Sequence, residues 1–166
     1  DVLQWLYDVL KVVRRAELRE APSGTAIAAF SPGDEPKQHI KRLIGNTRSQ
    51  IDCCVFTITD NELADALLQA HKRGVALRIL SDNDKSYDRG SDIEKLSQNG
   101  VPVRVDRSDA HMHHKFALFD RHILLTGSYN WTRSAARENA ENIIITDDTR
   151  LITPFQTYFD GLWKRL

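Results

Sequence analysis

Apolar positions along this chain recur with two periods, and the two alternate in a regular order. Residues 2–19 place Leu3, Leu6, Leu10 and Val13 on one face with Arg14, Arg15 and Arg19 late, the pattern of a helix with a cationic C-terminal end. Ala21-Pro22-Ser23-Gly24 then punctuates the chain, and Thr25 to Phe30 reads as a short strand closed by Ser31-Pro32-Gly33. From there the pattern predicts a helix over Asp34–Thr47, a buried strand over Ile51–Thr57 and a helix over Asn61–Arg73 ended by Gly74. A strand over Val75–Leu80, a helix over Ser91–Gln98 and a strand over Val101–Val105 follow. After residue 106 the strands crowd together, at Lys115–Phe119, Ile123–Thr126 and Asn142–Thr146, with a short helical piece between Asn130 and Arg137. A last helix over Thr149–Leu166 puts Leu151, Phe155, Phe159 and Leu162 on one face.

Alternation of this kind predicts an α/β fold, a mixed and mostly parallel sheet flanked by helices on both faces. The punctuation near residue 24 divides the chain into an N-terminal helix and linker, residues 1–24, peripheral to a main domain over residues 25–166.

With 166 residues the chain is about one domain's worth. Hydrophobic residues are 41% and charged residues 28%, with no apolar stretch of membrane-spanning length, which excludes a disordered tail. Lys plus Arg number 23 and Asp plus Glu 23, so any site for a polyanion must be local. Cys53 and Cys54 are neighbours inside an apolar run, poor geometry for a disulfide, and read as reduced core residues of a reducing compartment. No signal peptide is visible, and a chain beginning with Asp1 reads as a piece of something longer. The expected location is cytoplasmic, or tethered to a membrane by a segment outside this sequence.

Reactive polar side chains concentrate in residues 111–142, HMHHKFALFDRHILLTGSYNWTRSAARENAEN. On a strand His113 and Lys115 project to the same side, an imidazole and an ammonium in one space. Attack on a phosphodiester needs cations and donors on the equatorial oxygens, an in-line nucleophile and an acid for the leaving oxygen. Lys115, Ser128 and Asn130 supply the first and His113 the second, because an imidazole is largely neutral at pH 7. Glu141 is the candidate to hold the other imidazole nitrogen, and Gly127 lets the backbone pass close to a phosphate.

The spacing His113-x-Lys115, four residues, Asp120, six residues, Gly127-Ser128-x-Asn130 resembles the HKD signature of the phospholipase D superfamily at every fixed position, with Glu141 at the downstream acidic position of bacterial single-motif nucleases. The resemblance covers roughly residues 25–166, and the run HMHHKFALFD with LLTGSYNWT is similar to the Zucchini or mitochondrial phospholipase D group and small bacterial endonucleases. It implies a covalent phosphohistidine, a second motif whose histidine protonates the leaving group, and hence a homodimer, since this chain has one motif. It also implies Lys115 and Asn130 of both chains on the phosphate, Ser128 assisting and Asp120 as an orienting carboxylate.

On this reading the catalytic residues are His113, Lys115, Asp120 and Glu141, and the substrate is held by Lys115, Ser128, Asn130 and Arg133, the last extended by Arg137 one turn on. No cofactor or metal is expected, although His111 and His113 invite a zinc reading. The loop around Asp82, Asp84, Asp88 and Asp92 lacks the Gly and Glu of a calcium loop. Tyr129 and Trp131 are core residues by default, with base stacking as the alternative. The expected substrate is single-stranded DNA or RNA, favoured over cardiolipin or another phospholipid because no apolar loop stands near the motif. A nucleic-acid-binding module without turnover is the third reading.

Overall fold

The computed structural model describes residues 1–17, 24–83 and 90–166. Arg19, the Ala21-Pro22-Ser23 punctuation and the stretch containing Asp84, Lys85, Asp88 and Arg89 lie outside the described residues. Helix α1 (Val2–Glu17) leaves Leu3, Trp5 and Leu10 exposed. The elements after it are β1 (Ala26–Phe30), α2 (Glu35–Asn46), β2 (Gln50–Val55), α3 (Asn61–Lys72), β3 (Ala76–Asp82), α4 (Ile93–Gln98) and β4 (Val103–Asp106). Then come β5 (Lys115–Phe119), β6 (Ile123–Gly127), α5 (Arg133–Arg137), β7 (Asn142–Thr146) and α6 (Thr149–Arg165).

The seven strands form one mixed sheet in the order β1-β7-β6-β5-β2-β3-β4. Helices cover both faces, as the alternating pattern requires. The share of parallel pairing is the correction: only β2–β3 and β3–β4 are parallel, and the other four neighbouring pairs are antiparallel. A parallel connection needs about a dozen residues of crossover, and the closely spaced second half of the chain has no room for one between β5 and β6. That turn carries Asp120 and Arg121 at φ 50° and 62°, closed by the His122 amide on the Phe119 carbonyl, a hairpin geometry Asp tolerates.

Strand β2 is buried on both faces, and its alternation separates two cores. Ile51, Cys53 and Val55 face α2 and α3, meeting Ile40, Ile44, Leu63 and Leu67. Cys54 faces the other way, with Leu80, Phe116 and Leu124, against Ile152, Phe159 and Leu162 of α6. The two cysteines are free and buried, on opposite sides of the strand because they are adjacent, and burial pushes both thiols up, Cys54 to about 12.

Helix α6 is tied to the sheet by charge as well as by apolar packing. Asp52, 1% exposed, accepts two hydrogen bonds from Arg78 at 2.8 Å each, and Arg78 reaches Asp160 of α6 at 2.7 Å. The guanidinium also lies 4.8 Å from the ring centre of Phe159 and 5.4 Å from that of Trp163. A buried carboxylate is tolerable only when paired and hydrogen-bonded in this way.

Candidate active site

Register brings most of the motif to one rim of the sheet. Val55 pairs with Lys115, Phe116 with Thr126 and Gly127 with Ile143, so the ends of β2 and β6 and the starts of β5 and β7 lie side by side. Gly127 is required by this spacing, since a Cβ there would lie 2.1 Å from the Asn142 carbonyl oxygen. The close neighbour is thus the adjacent strand.

Strand β5 begins at Lys115, so His113 lies in the extended segment that leads into it rather than on the strand. Its place is nevertheless defined, because the Phe56 amide donates to the His114 carbonyl at 2.9 Å. Lys115 is 8% exposed, and its Nζ donates to the His113 carbonyl at 2.8 Å. The His113 ring meets the Phe56 ring at 4.7 Å, nearly edge-on, and Lys115 Nζ lies 5.0 Å from the same ring centre.

Burial lowers the pKa of His113, helped by the positive charge of Lys115 and by His111, while Asp82 pulls the other way. This shifts the balance toward the neutral imidazole, the form that can attack phosphorus. Burial also lowers Lys115, against an opposing pull from Glu141. Glu141 thus reaches the ammonium through its field. The expected bond to His113 is not among the hydrogen bonds of the described residues, and the Glu141 carboxylate accepts from Asn139 Nδ2 at 3.1 Å.

Ser128 Oγ accepts the Asn142 amide at 3.1 Å, which leaves its own proton to donate. Asn130 Oδ1 is buried without a hydrogen-bond partner among the described residues. Tyr129 and Trp131 are 1% and 0% exposed, core residues with no face for a base.

Asp120 is not brought to this rim. It stands at the far end of β5, about 16 Å from Lys115 at the usual strand rise. Its carboxylate accepts from the amides of Arg48, Ser49 and Gln50 and from Ser49 Oγ at 2.6 to 3.0 Å. Burial pushes this carboxyl up, but those hydrogen bonds outweigh it and bring the pKa down to about 2. The side chain anchors the entry into β2 and cannot orient His113 from there.

Two walls flank the rim. On the α3 face, Arg133 is exposed on α5 and borders a small cavity of about 120 Å³ with Lys37, Arg137, Asp60 and Glu62. On the α6 face lies a cleft of about 490 Å³ containing His113, Lys115 and Gly127, walled by Phe116, Pro154, Phe155 and Tyr158. His114 Nε2 and Tyr158 Oη are 3.0 Å apart across it. The reading of an apolar loop as the mark of a lipid site looked in the wrong place: the apolar wall comes from a helix about forty residues further along the chain. His111 Nδ1 is 3.5 Å from the buried Asp82 carboxylate, and the described residues hold no cluster of three or more His, Cys, Asp or Glu placed for a metal.

Residues 40–163 match the family model described as "Cardiolipin synthase, PLD-like domain". The mitochondrial cardiolipin hydrolase of Chlamydomonas reinhardtii is 49% identical over 120 residues, covering 72% of this chain and 54% of that protein. That of Xenopus laevis is 47% identical over 123 residues, covering 74% and 58%. The chain thus spans little more than half the length of these relatives. Among solved structures, the phospholipase D family member Nuc from Salmonella typhimurium superposes with a TM-score of 0.79 at 24% identity, over 86% of this chain and 95% of that one, a likeness of fold. No helix of the described residues is long and apolar enough to cross a membrane. With the family model spanning most of its length and relatives at nearly half identity, the chain belongs to the phospholipase D superfamily, alongside the mitochondrial cardiolipin hydrolases.

Proposed function

We propose that the protein is a phosphodiesterase that works as a homodimer through a phosphohistidine, and that its substrate is a phospholipid such as cardiolipin. The observation that carries the substrate class is the cleft walled by Phe116, Phe155 and Tyr158 beside His113, an apolar trough opening directly onto the nucleophile. A nucleic-acid enzyme needs a polar, cationic channel at that place, whereas a lipid must lay hydrocarbon against protein. The names of the relatives support the same choice.

In this mechanism a ring nitrogen of His113 forms a bond to phosphorus while the bond from phosphorus to the leaving oxygen breaks. That oxygen takes a proton from His113 of the partner subunit. Water then attacks phosphorus, giving a proton to the partner's His113, and the phosphorus–nitrogen bond breaks. Lys115 offsets the phosphate charge, Ser128 and Asn130 donate to its oxygens, and Glu141 steadies the ammonium. Each chain has one such histidine, so the two copies of the rim must face each other across a two-fold axis. Buried free Cys53 and Cys54 suit a reducing compartment, and we place the protein at a membrane surface there.

Single-stranded DNA or RNA is the second reading, favoured by exposed Arg133 and Arg137 on the α3 face. The deciding experiment offers the purified protein cardiolipin vesicles and labelled single-stranded oligonucleotides, beside His113→Ala. Release of phosphatidic acid with a trapped phosphohistidine is expected. Cleavage of the oligonucleotide alone overturns the lipid reading, and full activity in His113→Ala or in an obligate monomer overturns the mechanism.

A further inference from the structure

Phe56 lies outside the motif, just past the end of β2, in a position where three motif-segment side chains meet one ring. We propose that Phe56 is the positioning residue of this site, the aromatic post that holds the His113 imidazole and the Lys115 ammonium in fixed relation to each other. The inference rests on the reading of His113 and Lys115 as the groups that handle the phosphate.

The contacts are of two kinds, edge-on aromatic and cation–π. His113 meets the ring nearly edge-on at 4.7 Å, inside the range of a T-shaped aromatic pair. Lys115 Nζ is 5.0 Å from the ring centre, inside the range of a cation–π contact. His111 stands at 5.7 Å, edge-on at 84°. Phe56 itself has little freedom, because its amide donates to the His114 carbonyl at 2.9 Å and its carbonyl accepts from Ser81 Oγ at 3.2 Å. Behind His111, the buried Asp82 carboxylate accepts the Met112 amide at 2.8 Å, which fixes the chain between the two histidines. Among the described residues the charged and titratable groups around His113 include Lys115, His111, His114 and Asp82, with Glu141 acting on Lys115.

A leucine at this position fills similar volume but offers no π face, so the ammonium loses its partner and the imidazole its edge contact. The test compares Phe56→Leu with Phe56→Tyr in the full chain, using bis(4-nitrophenyl) phosphate as a substrate that needs neither lipid nor nucleic acid. Phe56→Leu is expected to lower kcat about 30-fold with KM within about threefold, as misplaced catalytic groups do. The His113 titration followed by NMR should shift from its wild-type midpoint as the ring and the Lys115 ammonium change their separation, and Phe56→Tyr should behave as the wild type in both measurements. Wild-type kcat in Phe56→Leu, an unmoved His113 titration, or a Tyr variant as impaired as the Leu variant overturns the proposal. Should Phe56→Leu fail to fold, 3,4,5-trifluorophenylalanine at position 56 keeps the size and removes the negative face: a fall in kcat supports the post, an unchanged kcat overturns it. A wild-type protein that turns over no phosphodiester refutes the enzymatic reading instead, and the His113 titration still decides whether Phe56 holds that ring.

Discussion

The two ends of β5 carry the same motif and do different work. At its first residue Lys115 is buried beside His113, without an ion pair among the described residues, and burial draws its ammonium below the usual lysine range against the pull of Glu141. Just past its last residue Asp120 takes hydrogen bonds from Arg48, Ser49 and Gln50, and its carboxyl falls to about 2. One end has charge left without a close counter-charge among the described residues, and the other has charge satisfied by the fold. Fixed spacing in a sequence therefore does not separate chemistry from architecture, because both kinds of residue tolerate no displacement.

Substitutions at the two ends should break in opposite ways. His113→Ala is expected to abolish phosphodiester turnover, by about 10³-fold or more, with the melting temperature unchanged within a degree or two, checked by vesicle hydrolysis and calorimetry. Asp120→Asn should do the converse, costing about 2 kcal/mol of stability while kcat per folded molecule stays within about threefold. The Asp120 carboxyl has a folded pKa of about 2 against an ordinary 3.8, so its contribution is present above about pH 4 and disappears as pH falls toward 2. Urea unfolding across that window should accordingly show a steeper loss with acid in the wild type than in Asp120→Asn.

Smaller effects sharpen the contrast around the active rim. Phe155→Asp puts a charge into the apolar wall, and hydrolysis of vesicle lipid should fall about tenfold while the small diester is cleaved nearly as before. Equal losses on both substrates would remove the lipid reading of that cleft. The smallest expected shift is in pH dependence. Burial, Lys115 and His111 hold His113 below its ordinary value, so the attacking neutral form persists to lower pH and the acid limb of kcat/KM should have its midpoint below about 6.5. Asp120→Asn should leave that limb in place.

Much of this was legible in the residues. The element boundaries follow from periods of two and 3.6 together with Gly74, Asn99-Gly100 and the capping residues, and the observed helices and strands differ from them by about two residues at most ends. His113 and Lys115 were legible because their separation is local. The mostly parallel sheet was a wrong inference from the first half of the chain, which alternates strand and helix, to the second half, which folds in hairpins. Neither Phe56 nor the wall made by Phe155 and Tyr158 could be recognised from a local window. An aromatic in a strand end or an amphipathic helix reads as core until the sheet order shows what stands opposite. Asp120 misleads for the converse reason, since a carboxylate at a motif position gives no sign of the backbone amides some seventy residues away that it serves.

The Arg78 link to Asp52 and Asp160 has a consequence for the trough it braces. Ions from solution weaken contacts at the surface far more than those sealed inside. The inner half of the link, Arg78 on Asp52, is shielded because that carboxylate is 1% exposed, whereas the outer half, on Asp160 at 33% side-chain exposure, lies within reach of salt. The gauge of the trough then rests chiefly on the inner bond, with the apolar packing of Phe159 and Leu162 behind it.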